Sequence, residues 1–261
     1  MTDQSALITT VHDPEGRLLP GLREVGSALA RYAGVYAFIT EPTDGVLVER
    51  LRVAGVRVEI GPTGMPGTGQ RRALAAGVEA GHADFVVCDF DRWLHWARCF
   101  ASELDALPGR IRREHPDAWY VCLGRTERAL ATHPMAQILP ETATNRALVA
   151  VIGMTLDATA GAAWVQGEAA VLILEGSVET SKATDLEWPG LVLRADPSRV
   201  AGIFLEGLEF ETADGYVDEI AAAGSRAAWI AATYDRPEVL RDRLQLAADS
   251  ISALERVMGG S

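Results

Sequence analysis

Residues 84–93 read DFVVCDFDRW. Five of the six residues from Phe85 to Phe90 are apolar or thiol side chains, the composition of a buried strand. Asp89 and Asp91 close that run, and packing has no need of them. If the chain turns there, both carboxylates can face one divalent cation, directly or through water. Hard oxygen ligands favour magnesium or manganese, which bridge diphosphate oxygens. Any solvated strand end can also carry two aspartates, so the pair has to be read with its neighbours.

Upstream, strand and helix patterns alternate. Residues 5–11, 34–40 and 56–60 read as strands, and 18–32, 43–54 and 70–81 as helices, the second capped by Thr43-Asp44. The glycine- and proline-rich stretch GPTGMPGTG (61–69) is expected to be a loop. Such alternation predicts an α/β fold: a mostly parallel sheet with helices on both faces. Ligands of such sheets bind beyond the carboxyl ends of the strands, which would align TVHD (10–13), TEPTD (40–44), GTGQRR (67–72) and DFD (89–91) along one crevice.

The second half is less regular. Residues 118–124 read as a strand, 146–156 as strand or helix, and 169–176 and 190–195 as further strands. Residues 236–257 form an amphipathic helix with Pro237 in its first turn. No repeat or linker interrupts the chain, so 1–261 is expected to be a single domain with an elaborated second half.

Composition excludes several classes. A net charge of −12 and a pI near 4.9 oppose nucleic-acid binding, because a polyanion needs a basic face. Lys182 is the only lysine, leaving arginine to meet phosphates. Three cysteines without a CxxC pair fit a reducing cytoplasm. Residues 1–10 lack the pattern of a signal peptide, and the most apolar stretch, 147–156, is too short to cross a bilayer, so a cytoplasmic protein with no integral membrane segment is expected. The five histidines show no zinc-hydrolase spacing, and no G-x-S-x-G elbow is present.

The segment 67–91, GTGQRRALAAGVEAGHADFVVCDFD, resembles the family-2-like glycosyltransferases of the A-type fold. In these a glycine loop opens an "AlNaGl" helix leading to a strand that ends in D-x-D. Ala73, Leu74, Ala76, Gly77 and Asp84 fall in register with that pattern. The likeness extends over 5–91 and is thin beyond. Glu41-Pro42 replaces the family's usual aspartate pair, and Gln70 or Arg71 stands where a lysine is common.

The resemblance implies a nucleotide-sugar-binding half over 5–91, an acceptor-side half over 92–235 and the closing helix 236–257. Thr10, His12, Glu41 and Asp44 would cradle the nucleoside, and Arg71 or Arg72 would approach the diphosphate. Asp89 would meet the ribose and, with Asp91, a Mg2+ or Mn2+ ion. The implied reaction moves a sugar from a nucleotide-diphosphate donor to a small hydroxyl acceptor such as a glycerate derivative. Asp157, in the small-residue segment LDATAGAAW, and Glu209, in EGLEFETADGY beside Glu206 and Glu211, are the candidate catalytic carboxylates. Trp164 and Trp188 could stack on a sugar, and His95, four residues past Asp91, could reach the same helix face. The long closing helix could also serve a homodimer. Three alternatives remain: a nucleotide-sugar binder without turnover, a haloacid-dehalogenase-type phosphatase using Asp89 and Lys182, and a sugar-nucleotidyltransferase.

Overall fold

The computed structural model describes residues 5–259, so the ends of the expected 1–261 domain and part of the leader reading at 1–10 fall outside it. The first half follows the expected alternation: β1 (Ala6–Val11), α1 (Leu19–Val25), β2 (Gly34–Thr40), α2 (Gly45–Val53), β3 (Arg57–Gly61), α3 (Pro66–Glu79), β4 (Asp84–Cys88) and α4 (Phe90–Cys99). Asp44 caps α2 by accepting the Leu47 N–H at 3.0 Å. The helix expected over 18–32 is α helix only to Val25; from Gly26 it tightens into a 3-10 turn reaching Arg31.

The glycine-rich stretch differs from expectation. Helix α3 begins at Pro66, a residue suited to a first helical turn, so GTG lies inside the helix. Its glycines allow close packing. A Cβ at Gly69 would stand 2.5 Å from the Phe38 ring, and one at Gly67 would stand 2.5 Å from the Ser181 carbonyl oxygen. The Gly67 N–H donates to the Thr180 carbonyl at 2.9 Å. The motif therefore draws the 180–182 backbone against the start of α3.

The second half supplies α5 (Ala101–Glu114), β5 (Tyr120–Arg125), α6 (Glu127–Leu130), α7 (Met135–Ile152), β6 (Ala162–Gln166), α8 (Gly167–Gly176), α9 (Thr184–Ala195), β7 (Val200–Leu205), α10 (Val217–Ala222), α11 (Arg226–Thr233) and α12 (Pro237–Gly259). The expected strands at 169–176 and 190–195 are corrected to helix: their apolar residues bury against the sheet from α8 and α9. The ambiguous 146–156 begins as the end of α7. The strands not anticipated are β6, which follows the left-handed Gly161, and β7.

One seven-stranded sheet runs through both halves in the order β3-β2-β1-β4-β6-β5-β7. Neighbours are parallel except β6, which runs antiparallel to both β4 and β5. Alternate residues face opposite ways. Leu7, Val86, Val121 and Trp164 join the core beneath α1, α2, α4 and α5, while Ile8, Phe85, Val87 and Val165 join the core beneath α3, α8 and α9. Trp164 and Trp188 are core residues, 1% and 3% exposed, and offer no sugar-stacking face. A third cluster, Phe210, Ala213 and Trp229, is built with Tyr216 and Tyr234 into an aromatic knot whose ring centroids lie 5.3–6.3 Å apart. The α12 helix packs on α7 and α9, so Ala253, Leu254 and Val257 are buried within the chain.

Candidate active site

Strands β2 and β3 lie on one side of β1, and β4 lies on the other. The strand order thus reverses between β1 and β4, the point at which an open α/β sheet leaves a crevice at its carboxyl edge. Thr10 comes from β1 at that point, and Asp89 directly follows β4. The Thr10 hydroxyl donates to Asp89 Oδ1 at 2.6 Å.

The chain turns at Asp89, which has extended backbone and precedes α4, and Asp91 falls in the helix's first turn. Both carboxylates reach the cleft. Lys182, from the loop held against α3, donates to both Asp89 oxygens at 2.9 and 2.7 Å. Burial pushes the Asp89 carboxyl up, but Lys182 and Thr10 outweigh it and hold the group below the usual carboxylate range. Asp91 is different. Its Oδ1 accepts the Arg92 N–H at 2.8 Å, and it pairs with no cation among the described residues. Burial, with the negative charges of Glu211 and Asp89, pushes it up to about 7.

Glu211, the first residue of a 3-10 turn (Glu211–Gly215) before α10, binds Arg92 Nη2 at 2.8 Å through Oε1. Arg92 and Glu211 are each 7% exposed, and the Arg92 Nε and Glu211 Oε2 atoms have no hydrogen-bond partner among the described residues. Burial raises the Glu211 carboxyl, and Arg92 brings it below its ordinary value. His95 stands one turn beyond Asp91 with Nδ1 at 2.7 Å from Asp214 Oδ2.

Two cavities meet at these residues. The first, of about 360 Å³, runs past Thr10, His12, Asp13 and Arg17 to the Tyr216 side of the aromatic knot. The second, of about 280 Å³, opens between α7 and α12 and is closed by Phe210 and Tyr234. Asp89, Asp91, Lys182 and Glu211 line both. The cleft is therefore two-lobed, with four charged groups at the waist.

The remaining sequence candidates are placed as follows. Thr10 and His12 line the larger lobe, and His12 Nδ1 lies 2.8 Å from the Thr40 hydroxyl. Glu41, Asp44, Arg71 and Arg72 do not line either lobe. Asp44 is engaged in capping α2, and Arg71 binds Ser177 at 3.0 Å and the Glu179 carbonyl. Arg72 pairs with Glu59 and lies over the Phe38 ring. Asp157 is locked behind the small lobe: it accepts from Arg125 N, Nε and Nη2 at 2.8–2.9 Å and from Asn145 Nδ2 at 2.7 Å. Burial raises Asp157, and Arg125 more than offsets it. Glu209 lies outside both linings, bound to Arg128 and 3.4 Å from His95 Nε2. Sequence reasoning noted Lys182 and Glu211 without assigning them to this site, because their partners lie 93 and 119 residues away along the chain.

The fold has solved counterparts. A crystal structure of glucosyl-3-phosphoglycerate synthase from Mycobacterium tuberculosis in complex with uridine diphosphate superposes with a TM-score of 0.58 at 14% identity, covering 98% of this chain and 80% of that one. This chain has the A-type glycosyltransferase fold. The same enzyme with phosphoglyceric acid gives a TM-score of 0.57, and with Mn2+, UDP-glucose and phosphoglyceric acid 0.55, each at 14% identity and with the same 98% and 80% coverage. No protein-family model matches the chain, and no curated protein matches its sequence. Among the described residues no helix is long and apolar enough to cross a membrane.

Proposed function

We propose that this protein is a nucleotide-sugar-dependent glycosyltransferase acting on a small hydroxyl acceptor. The observation that carries the reading is Asp89 at the β1/β4 switch point, bonded to Thr10 and Lys182, beside an Asp91 that forms no ion pair among the described residues and opens into both lobes. The larger lobe, built on β1, would take the nucleoside diphosphate against Thr10, His12 and Lys182. The smaller would take the acceptor. The solved counterparts bind UDP, UDP-glucose and phosphoglyceric acid on the same fold, which supports a nucleotide-sugar donor.

The donor set fits a hard divalent cation. Asp91 is crowded by the negative charge of Glu211 and Asp89, and a Mg2+ or Mn2+ ion held there would relieve that crowding. Among the described residues no three ligating side chains converge, so diphosphate oxygens would complete the shell. Asp91 would hold the ion, while Asp89 stays engaged with Lys182. When bound, the ion supplies charge to offset the leaving diphosphate.

In the transfer, the acceptor oxygen bonds to the anomeric carbon and the bond from that carbon to the diphosphate oxygen breaks. The electron pair leaves with the diphosphate, where Lys182 can stabilise it. The hydroxyl proton passes to Glu211 Oε2, the unpartnered acceptor at the waist. A thermal-shift panel of nucleoside diphosphates and their sugars, with and without manganese, tests the reading. A ligand at 100 times its dissociation constant adds about 2.7 kcal/mol of stability. Asp91→Asn should abolish the manganese-dependent part of the shift and the turnover. Absence of any shift with metal present would overturn the assignment.

A further inference from the structure

The charge of the smaller lobe narrows the acceptor, given the transferase reading above. The cations lining it are engaged: Arg92 pairs with Glu211 at 2.8 Å and Arg243 with Glu141 at 3.7 Å, while Lys182, 2.7 Å from Asp89, is taken up by the donor diphosphate in that reading. None is left for an incoming anion. Two carboxylates in the same wall, Asp91 and Asp185, pair with no cation among the described residues. A divalent ion accounts for Asp91. Asp185, at the start of α9, lies within the field of Lys182 but forms no ion pair with it among the described residues.

A second observation points the same way. Glu211 is 7% exposed, lines the lobe, and keeps a buried oxygen without a hydrogen-bond partner. A buried, unmatched acceptor atom calls for a donor from a ligand. A phosphorylated acid would bring more negative charge to a wall whose cations are all engaged, and like charges in a part-buried site repel strongly. An ammonium group would find an unpaired carboxylate, with hydroxyls left to face Glu211.

We infer that the acceptor is a polyhydroxylated amine, held through its ammonium group by Asp185, and that this lobe discriminates against phosphorylated acids of the kind bound by the solved counterparts. The donor chemistry is unchanged. The hydroxyl attacks, its proton goes to Glu211, and the amine stays charged as a handle.

The test uses the full chain at pH 7 with saturating UDP and manganese, and three probes on one hexose frame: glucosamine, glucose and glucose 6-phosphate. Binding is measured by calorimetry or ligand-observed NMR. Glucosamine should bind at least tenfold more tightly than glucose, about 1.4 kcal/mol, and glucose 6-phosphate more weakly than glucose. Asp185→Asn should remove the preference for glucosamine. Equal binding of the three, binding of none, tightest binding of a phosphorylated probe, or a preference that survives Asp185→Asn overturns the inference. The wild-type series alone decides the charge selectivity should the variant fail to fold. UDP binding with manganese is recorded separately by thermal shift. Its failure sinks the transferase reading, whereas loss of amine selectivity with UDP binding intact sinks only this one.

Discussion

Replacing Asp157 by asparagine distinguishes a catalytic carboxylate from an anchor. Asp157 accepts three hydrogen bonds from Arg125 and one from Asn145, and the Thr159 hydroxyl lies at 3.1 Å. The Arg125 side chain is fully buried and also binds Glu141 on α7 at 2.6 Å. These bonds tie the end of β5 to α7 and to the turn before β6. Asparagine keeps the shape and removes the charge, leaving the guanidinium one carboxylate short in a site buried from bulk solvent. Breaking a buried pair in this way costs about 3–5 kcal/mol. In a domain of this size 1 kcal/mol moves the melting temperature by about 2–4 °C, so the expected fall is about 6–20 °C. Differential scanning calorimetry measures it, with turnover assayed well below the melting point. Activity at low temperature should survive in part. A melting temperature within about 2 °C of the wild type, together with complete loss of turnover, would refute the anchoring role and return Asp157 to the catalytic set.

Lys182→Met removes the ammonium that binds both Asp89 oxygens and that the proposed function sets against the diphosphate; a hydrogen bond to a charged group contributes about 1.5–3 kcal/mol, so the dissociation constant for UDP should rise about 10- to 100-fold by calorimetry. Glu211→Gln keeps a hydrogen-bond acceptor for Arg92 but removes the proton acceptor, and kcat should fall by about 10²–10⁴ while UDP affinity changes little; unchanged kcat would exclude Glu211 as the base. Burial pushes His133 down to about 4, helped by Arg125 and Arg92, and its Nε2–H donates to the Leu208 carbonyl at 3.2 Å while Nδ1 has no partner. The unfolded chain protonates this histidine near pH 6.5, so the folded state loses stability as pH falls from 6.5 towards 4. The loss is at most about 3 kcal/mol and should be read from urea midpoints across that range; His133→Gln should flatten that part of the profile.

The aspartate pair and the four leading strands were legible because their signals are local. An apolar run of four residues before Asp89, a capping aspartate and alternating periods are written in neighbouring positions. The resemblance in 67–91 is of the same kind, and its register leads to the observed β4 and Asp89. Local pattern failed where burial is set by partners distant in sequence. Residues 169–176 and 190–195 are apolar enough for strands, yet they cover the sheet as helices. The glycines of 67–69 pointed to a loop along the crevice, whereas they lie inside α3. Their places are taken by Phe38 and by the Ser181 backbone, contacts that no spacing rule reveals.

The sequence by itself determined that a mostly parallel sheet would present Asp89 and Asp91 at a strand end, because strand period and helix capping act over a few residues. Only the tertiary structure decided which groups meet them. Lys182 reaches Asp89 across 93 residues and Arg92 reaches Glu211 across 119, since β6 runs antiparallel through the sheet and the aromatic knot folds the later chain over its edge. Charge pairing depends on distance in space, and burial makes it strong; neither quantity is fixed by position along the chain.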